Sequence, residues 1–156
     1  MSSDSVENPR YVGAMLRLIW QWVRDQIYSG VLEAGYDDLN PAHVALFRHP
    51  SLDGMRPTEL AGQLQITKQS INDLVGHLEQ RGYVVRKPDP DDGRGRVVRL
   101  TPKGRRLEQT INAHARQAEL GIAEMLGPRR FAAFHGALEE LASRITQTGG
   151  PTVTTT

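Results

Sequence analysis

The sequence predicts a mainly α-helical chain interrupted by one small β-hairpin, and three observations carry that expectation. Apolar residues recur at three- and four-residue steps over long stretches, beginning with Val12, Met15, Leu16, Ile19, Trp20, Val23 and Ile27, the period of an amphipathic helix. Two β-rich runs, Tyr83-Val84-Val85-Arg86-Lys87 and Arg96-Val97-Val98-Arg99-Leu100, flank the turn-rich segment Pro88 to Gly95, the pattern of a hairpin. Cap residues mark successive helix starts: Asn40 before Pro41, Thr67 before an apolar stripe, and Thr101 before Pro102.

Taken in order, the first helix is expected from about Pro9 to Ser29, with Gly30 and Gly35 punctuating the path onward. A short second helix starts at Asn40-Pro41, turns Val44, Ala45 and Phe47 inward, and ends near His49-Pro50. After a loop from Ser51 to Arg56, Thr58 is the expected N-cap of a third helix carrying Leu60, Ala61 and Leu64, with Glu59 favourable in its first turn. A turn at Gln65 leads to Thr67, which caps the fourth helix. There Ile71, Leu74, Val75 and Leu78 form one buried stripe, opposite Lys68, Gln69, Asn72 and Gly76. Gly82 supplies the left-handed stop. In the hairpin, Gly93 and Gly95 are expected to give the left-handed backbone of a tight tip, with Arg94 at its apex. Asp92 is placed to hold the Arg94 guanidinium or a backbone amide of the turn, and a plain turn-forming role fits it equally.

Beyond Thr101-Pro102, Leu107, Ile111, Ala115, Ala118, Ile122 and Met125 continue the helical period. After Gly127-Pro128 it resumes with Phe131, Phe134, Leu138, Leu141 and Ile145. An intrachain helical hairpin and an interface between two chains both satisfy that seam. Residues 149–156 read as a flexible polar tail.

Composition narrows the function classes. At 156 residues the chain is one domain or two small interlocked ones, and its 24% charged and 38% hydrophobic residues belong to a globular protein. No apolar run is long enough to span a bilayer, and Met1 to Arg10 lacks the core of a signal peptide. A cytoplasmic location is the expectation. The absence of cysteine excludes disulfides, thiolate metal sites and thiol oxidation as a sensing chemistry within this sequence. Of the histidines, His43 and His49 lie six apart on different faces, and His77, His114 and His135 are isolated, so none shows zinc-type spacing. No Gly-rich phosphate loop or paired nucleophile and base stands out, so the reading is a non-enzyme without metal or cofactor.

Net charge is only +1, but its distribution is uneven. Between Arg81 and Arg106 nine basic residues face three acidic ones, Asp89, Asp91 and Asp92, the footprint of a surface that meets a phosphate backbone. Immediately before it, the fourth helix presents Lys68, Gln69 and Asn72. Amides of Gln and Asn pair adenine edges in the major groove, and Lys reaches guanine or phosphate. Thr67 and Ser70 can contact phosphate beside the helix N-terminus. Arg94 stands where it could enter a neighbouring minor groove, whose negative potential attracts arginine. A solvated polar face explains the helix alone; the basic hairpin directly after it favours DNA. The alternative is a winged-helix protein-interaction module without sequence-specific DNA binding, which would show an apolar face in place of Lys68, Gln69 and Asn72.

Three motifs in register then resemble the MarR family of bacterial winged-helix transcription regulators. They are Asp92-Gly93-Arg94-Gly95-Arg96-Val97-Val98-Arg99-Leu100-Thr101, the helix start Thr58-Glu59-Leu60-Ala61, and the junction Leu78-Glu79-Gln80-Arg81-Gly82-Tyr83-Val84. The resemblance extends over nearly the whole chain in element order and length. It implies a winged helix-turn-helix lobe at 37–101, a dimerisation region built from helices at 1–36 and 102–148, and a recognition helix from Thr67 to Arg81. It also implies a ligand-responsive repressor that binds double-stranded DNA as a homodimer. The expected DNA-binding residues are Thr58, Thr67, Lys68, Gln69, Ser70, Asn72, Arg94 and Arg96, with Asp92 structuring the wing. A two-fold dimer reads an inverted repeat whose half-sites lie about 10 base pairs apart. Small aromatic or anionic effectors bind family members between the dimer helices and the DNA-binding lobe, and Arg17, Trp20, Tyr36, His43 and Phe47 lie on elements near that junction.

Overall fold

The computed structural model describes residues 11–48 and 51–148. In chain order these form α1 (Val12–Glu33), α2 (Pro41–Ala45), α3 (Pro57–Leu64), α4 (Lys68–Gln80), β1 (Val84–Pro88), β2 (Arg96–Leu100), α5 (Pro102–Leu126) and α6 (Pro128–Gln147). The two strands pair antiparallel, Val84 opposite Leu100 and Pro88 opposite Arg96. The helical class with a single hairpin is therefore the one expected. The second helix ends at Ala45, short of the expected His49-Pro50, and residues 46–48 continue as turn; the expected start at Pro9 and the tail at 149–156 lie outside the described residues.

Local chemistry accounts for most boundaries. Asn40 caps α2 by accepting the His43 N–H at 3.1 Å, and Pro41 takes the first helical position, where its missing N–H costs nothing. Thr101 Oγ1 accepts the Gly104 N–H at 3.1 Å ahead of Pro102. At the end of α4 the Tyr83 N–H reaches the Leu78 carbonyl and the Gly82 N–H the Glu79 carbonyl. That double closure requires a left-handed residue, which Gly82 provides at φ 79°.

Four further local expectations are corrected. α1 does not stop at Gly30 but runs through it, and a Cβ there would collide with the His114 ring of α5. The glycine serves close approach of α5, and the helix ends only before Gly35. Thr58 is not the cap of α3: Arg56 holds that position, Pro57 opens the helix, and Thr58 lies exposed in the first turn. Ala45 is exposed, and His43 and Leu46 are buried beside Val44 and Phe47 in its place. Gly93 and Gly95 do not adopt positive φ; the loop is shaped by the Asp91 and Arg94 N–H groups donating to the Asp89 and Asp92 carboxylates.

The chain divides into two compact units, one ending at Arg116 and one beginning at Gln117. In the first, Ile27 and Val31 of α1, Leu60 of α3, Ile71, Val75 and Leu78 of α4, Val84 and Val98 of the hairpin, and Leu107 and Ile111 of α5 form one core. Each such side chain contributes about 1.5–3 kcal/mol on burial. The N-terminal half of α1 is outside that core: Tyr11, Val12, Leu18 and Trp20 are more than half exposed. In the second unit, α6 has no buried residue, and Leu138, Leu141 and Ile145 remain exposed. His135 lies 3.4 Å from Glu119 there.

Among the described residues of the first unit, one imidazole ring is buried beside the core. His43 is only 6% exposed, and its ring stacks on His77 of α4 with centroids 4.2 Å apart. Its Nδ1 accepts the Asn40 N–H at 3.0 Å, and His77 Nε2 donates to the Asp38 carbonyl at 2.8 Å. Asp38 Oδ1 in turn accepts the Tyr83 hydroxyl at 2.8 Å. Burial, and secondarily the neighbouring His77, lower the His43 pKa below its ordinary 6.5, against an opposing pull from Asp38. The unfolded chain thus takes up the proton first. The stability this group contributes is complete above about pH 6.5 and is lost progressively as pH falls below it. His43→Gln retains an acceptor at this third helical position and removes the titration. Its urea midpoint should therefore fall less between pH 7.5 and 5.5 than that of the unsubstituted protein.

Candidate nucleic-acid interface

α4 packs through Ile71, Val75 and Leu78, each fully buried, and this turns its polar N-terminal half outward. Lys68, Gln69, Ser70 and Asn72 are all exposed. Thr67 caps the helix as expected: its Oγ1 accepts the Ser70 N–H at 3.0 Å and donates to Ser70 Oγ at 2.9 Å. The two amides are oriented by their own helix. Gln69 Nε2 donates to Asp73 Oδ1 at 3.3 Å, and Asn72 Nδ2 donates to the Lys68 carbonyl at 2.9 Å. Asp73 was missed by the sequence reading, although its place one turn beyond Gln69 is a usual spacing for such a pair.

The hairpin is built on alternation and a tied loop. Val84, Val97 and Val98 are buried, while Arg96 and Arg99 are exposed. Residues 54–55 run beside β2, the Gly54 N–H donating to the Val98 carbonyl at 2.7 Å and the Val98 N–H to the Met55 carbonyl at 2.9 Å. At the tip the Asp89 N–H reaches the Gly95 carbonyl at 2.9 Å, and the Gly95 N–H reaches the Asp92 carbonyl at 3.0 Å. Asp92 Oδ1 accepts the Arg94 N–H at 3.1 Å, so of the two roles open to Asp92 it takes the backbone amide. The Arg94 side chain is exposed and joins no ion pair among the described residues.

The guanidinium that Asp92 does meet belongs to Arg56. Arg56 Nε and Nη2 lie 2.7 and 2.6 Å from Asp89 Oδ2, and Nη2 lies 3.5 Å from Asp92 Oδ2. The Asp91 amide, and after it the Arg56 guanidinium, hold the Asp89 carboxyl below its usual range. Nothing local in the sequence signals this contact, which joins residues 33 positions apart.

Internal pairing also sorts the basic cluster. Arg81 lies 3.6 Å from Asp38 and Arg86 4.0 Å from Glu79, while Arg99 and Arg105 flank Asp53 at 3.8 and 3.6 Å. Lys103 donates to the Arg81 carbonyl at 2.7 Å and lies over the Tyr83 ring. Lys68, Lys87, Arg94, Arg96 and Arg106 have no such ion pair among the described residues. Unpaired cations around a polar helix face can release counterions from a phosphate backbone.

A separate cavity of about 290 Å³ lies in the first unit, lined by Trp20, Arg24, Tyr28, Val44, Arg48 and Leu64 among others. Arg24 stands 5.0 Å over the Trp20 ring. Its enclosed Nε is 3.6 Å from Asp25 yet makes no hydrogen bond among the described residues. Burial lowers the Arg48 pKa, without approaching neutrality for a guanidinium. Of the residues expected near an effector site, only Trp20 lines this cavity. Arg17 is exposed, Phe47 is core, His43 stacks on His77, and Tyr36 packs against Tyr83.

Comparison with known proteins agrees with this geometry. The sequence profile of the MarR family matches residues 38–95. The chain is 30% identical over 103 residues to the HTH-type transcriptional repressor Mb2911 of Mycobacterium bovis, an alignment covering 66% of this chain and 74% of the repressor. It is 34% identical over 83 residues to the transcriptional activatory protein BadR of Rhodopseudomonas palustris, covering 53% of this chain but only 46% of BadR. Among solved structures, the repressor CouR bound to a 23-mer DNA duplex is 26% identical with a TM-score of 0.64, covering 91% of this chain and 98% of CouR. The Mycobacterium tuberculosis MarR family protein Rv2887 in complex with salicylic acid is 25% identical with a TM-score of 0.66, covering 86% and 98%. With the hairpin, the capped α4 and these relatives in agreement, the chain belongs to the MarR family of winged-helix transcription regulators.

Proposed function

We propose that the chain acts as a ligand-responsive repressor, binding an inverted-repeat operator as a homodimer in the cytoplasm. The carrying observation is the pairing of an exposed polar α4 with a hairpin whose tip arginine has an exposed side chain that joins no ion pair among the described residues. In this reading Lys68, Gln69 and Asn72 meet base edges in the major groove, Thr58, Thr67 and Ser70 meet phosphate, and Arg94 with Arg96 follows the minor groove. Asp92 structures the wing that presents them. No helix among the described residues is long and apolar enough to cross a membrane.

Two further observations support the reading. The exposed apolar faces of α1 and of α6, each without cover in a single chain, are what a helical interface between two copies would bury. These helices form the dimerisation region, and the elements between them form the DNA-binding lobe. The cavity's aromatic walls and two arginines suit a small aromatic or anionic effector. Such a ligand regulates by binding one arrangement of the dimer more tightly than another.

Selection from a randomised duplex pool at fixed near-physiological salt tests the whole reading. Enrichment of an inverted repeat with half-sites about one helical turn apart is expected; an unenriched pool would favour the protein-interaction alternative. On that operator, Arg94→Ala should weaken binding by about 1–3 kcal/mol and make its salt dependence shallower while leaving the dimer intact. An unchanged Kd would remove the wing from the interface. Gln69→Ala and Asn72→Ala should relax base preference more than they reduce overall affinity. A uniform loss across sequences would make both phosphate contacts.

A further inference from the structure

We infer that Arg56 is the positioning residue of the wing: through Asp89 and Asp92 it fixes the hairpin tip to the start of α3 and so sets where Arg94 stands relative to α4. The inference rests on the DNA-binding reading above and adds to it a residue that lies outside both the recognition helix and the hairpin.

The carboxylates at the tip divide their oxygens between two tasks. Asp89 Oδ1 accepts the Asp91 N–H at 2.9 Å, and its Oδ2 takes both Arg56 Nε and Nη2. Asp92 repeats the arrangement: Oδ1 accepts the Arg94 N–H, and Oδ2 faces Arg56 Nη2. The backbone turn that presents Arg94 is thus continuous, through two carboxylates, with a single guanidinium. A planar fork of fixed donors suits this better than a lysine ammonium would.

Arg56 is itself held on both sides. Its N–H donates to Glu59 Oε2 at 3.4 Å as the cap residue of α3, and the carbonyl of Met55 before it accepts the Val98 N–H from β2. The guanidinium also lies against the loop backbone. A Cβ at position 95 would approach Arg56 Cζ to 2.6 Å, so the second glycine of the tip is required for this contact and not for positive φ. Charge points the same way. Asp89, Asp91 and Asp92 would repel phosphate beside Arg94, and Arg56 offsets part of the charge of the two it touches. An ion pair so near the surface adds little to global stability, so its removal frees the tip without unfolding the lobe.

A double-mutant cycle separates this role from a direct contact or a general weakening. With the full-length protein and the selected operator, Arg56→Ala should reduce affinity about tenfold, similar to the loss of one good contact. In an Arg94→Ala background the same substitution should cost less than about twofold, because the residue it positions is gone. Equal fold-losses in both backgrounds would overturn the assignment. The charge-exchanged pair Arg56→Asp with Asp89→Arg should recover part of the affinity lost in either single variant; no recovery would count against the clamp. Hydrogen exchange on the protein without DNA gives a decision independent of operator binding. Arg56→Ala should speed exchange of the Asp89 and Gly95 amides and leave those of α4 unchanged. Unaltered exchange at the tip would overturn the clamp even where DNA binding holds, whereas faster tip exchange in a protein that selects no duplex would retain the clamp and reject the DNA reading.

Discussion

The outward-facing chemistry of this chain depends on the anchoring of α4 through Ile71, Val75 and Leu78. Their spacing fixes the rotation of the helix about its own axis, and that rotation decides that Lys68, Gln69 and Asn72 face solvent. Because interiors are close-packed, a change of one methylene in this stripe would be felt as a tilt or shift of the helix. Both helix ends are fastened as well, by the Thr67 hydroxyl at one and by the Gly82 closure at the other. The polar side chains at the start of α4 therefore stand on a stiff scaffold.

The wing is organised by a different economy. Its strands share the same apolar core through Val84 and Val98, and its tip is tied by the Asp89 and Asp92 carboxylates. Asp residues that look unfavourable in a surface meeting phosphate are spent inward, on amides and on Arg56. Much of the neighbouring positive charge is consumed similarly by Asp38, Glu79 and Asp53. What is left unpaired is concentrated on α4, the hairpin and the start of α5. A nearly neutral protein can in this way keep a locally cationic face.

α2 is the short element shared by two parts of the first unit. Pro41, Val44 and Ala45 of α2 contribute to the cavity, and His43 of the same helix stacks on His77 of α4. The helix is only one turn and a half long, so its position is set by its Asn40–His43 cap and its neighbours more than by its own hydrogen bonds. A buried imidazole serving as a cap acceptor makes that position sensitive to protonation.

Local order was legible in the sequence. Helical periodicity, the Asn40, Thr67 and Thr101 caps, the Gly82 stop and the two β-rich runs each express interactions within a few residues, and each produced the element expected. The exposed face of α4 was legible for the same reason, since one apolar stripe implies its polar opposite. Several of the failures involve partners distant in sequence. Gly30 lies inside the helix where His114 approaches it, Arg56 takes the cap position expected for Thr58 while its side chain reaches Asp89, and Gly95 lies against that guanidinium. The lining of the cavity likewise draws together Arg24 of α1 and Arg48 of the turn after α2. The sequence by itself determined which segments fold and which face each buries, because those depend on period and capping. Only the tertiary structure decided which charges remain free and which are spent, because ion pairs carry no periodic signature along the chain and form only where folding brings their partners together.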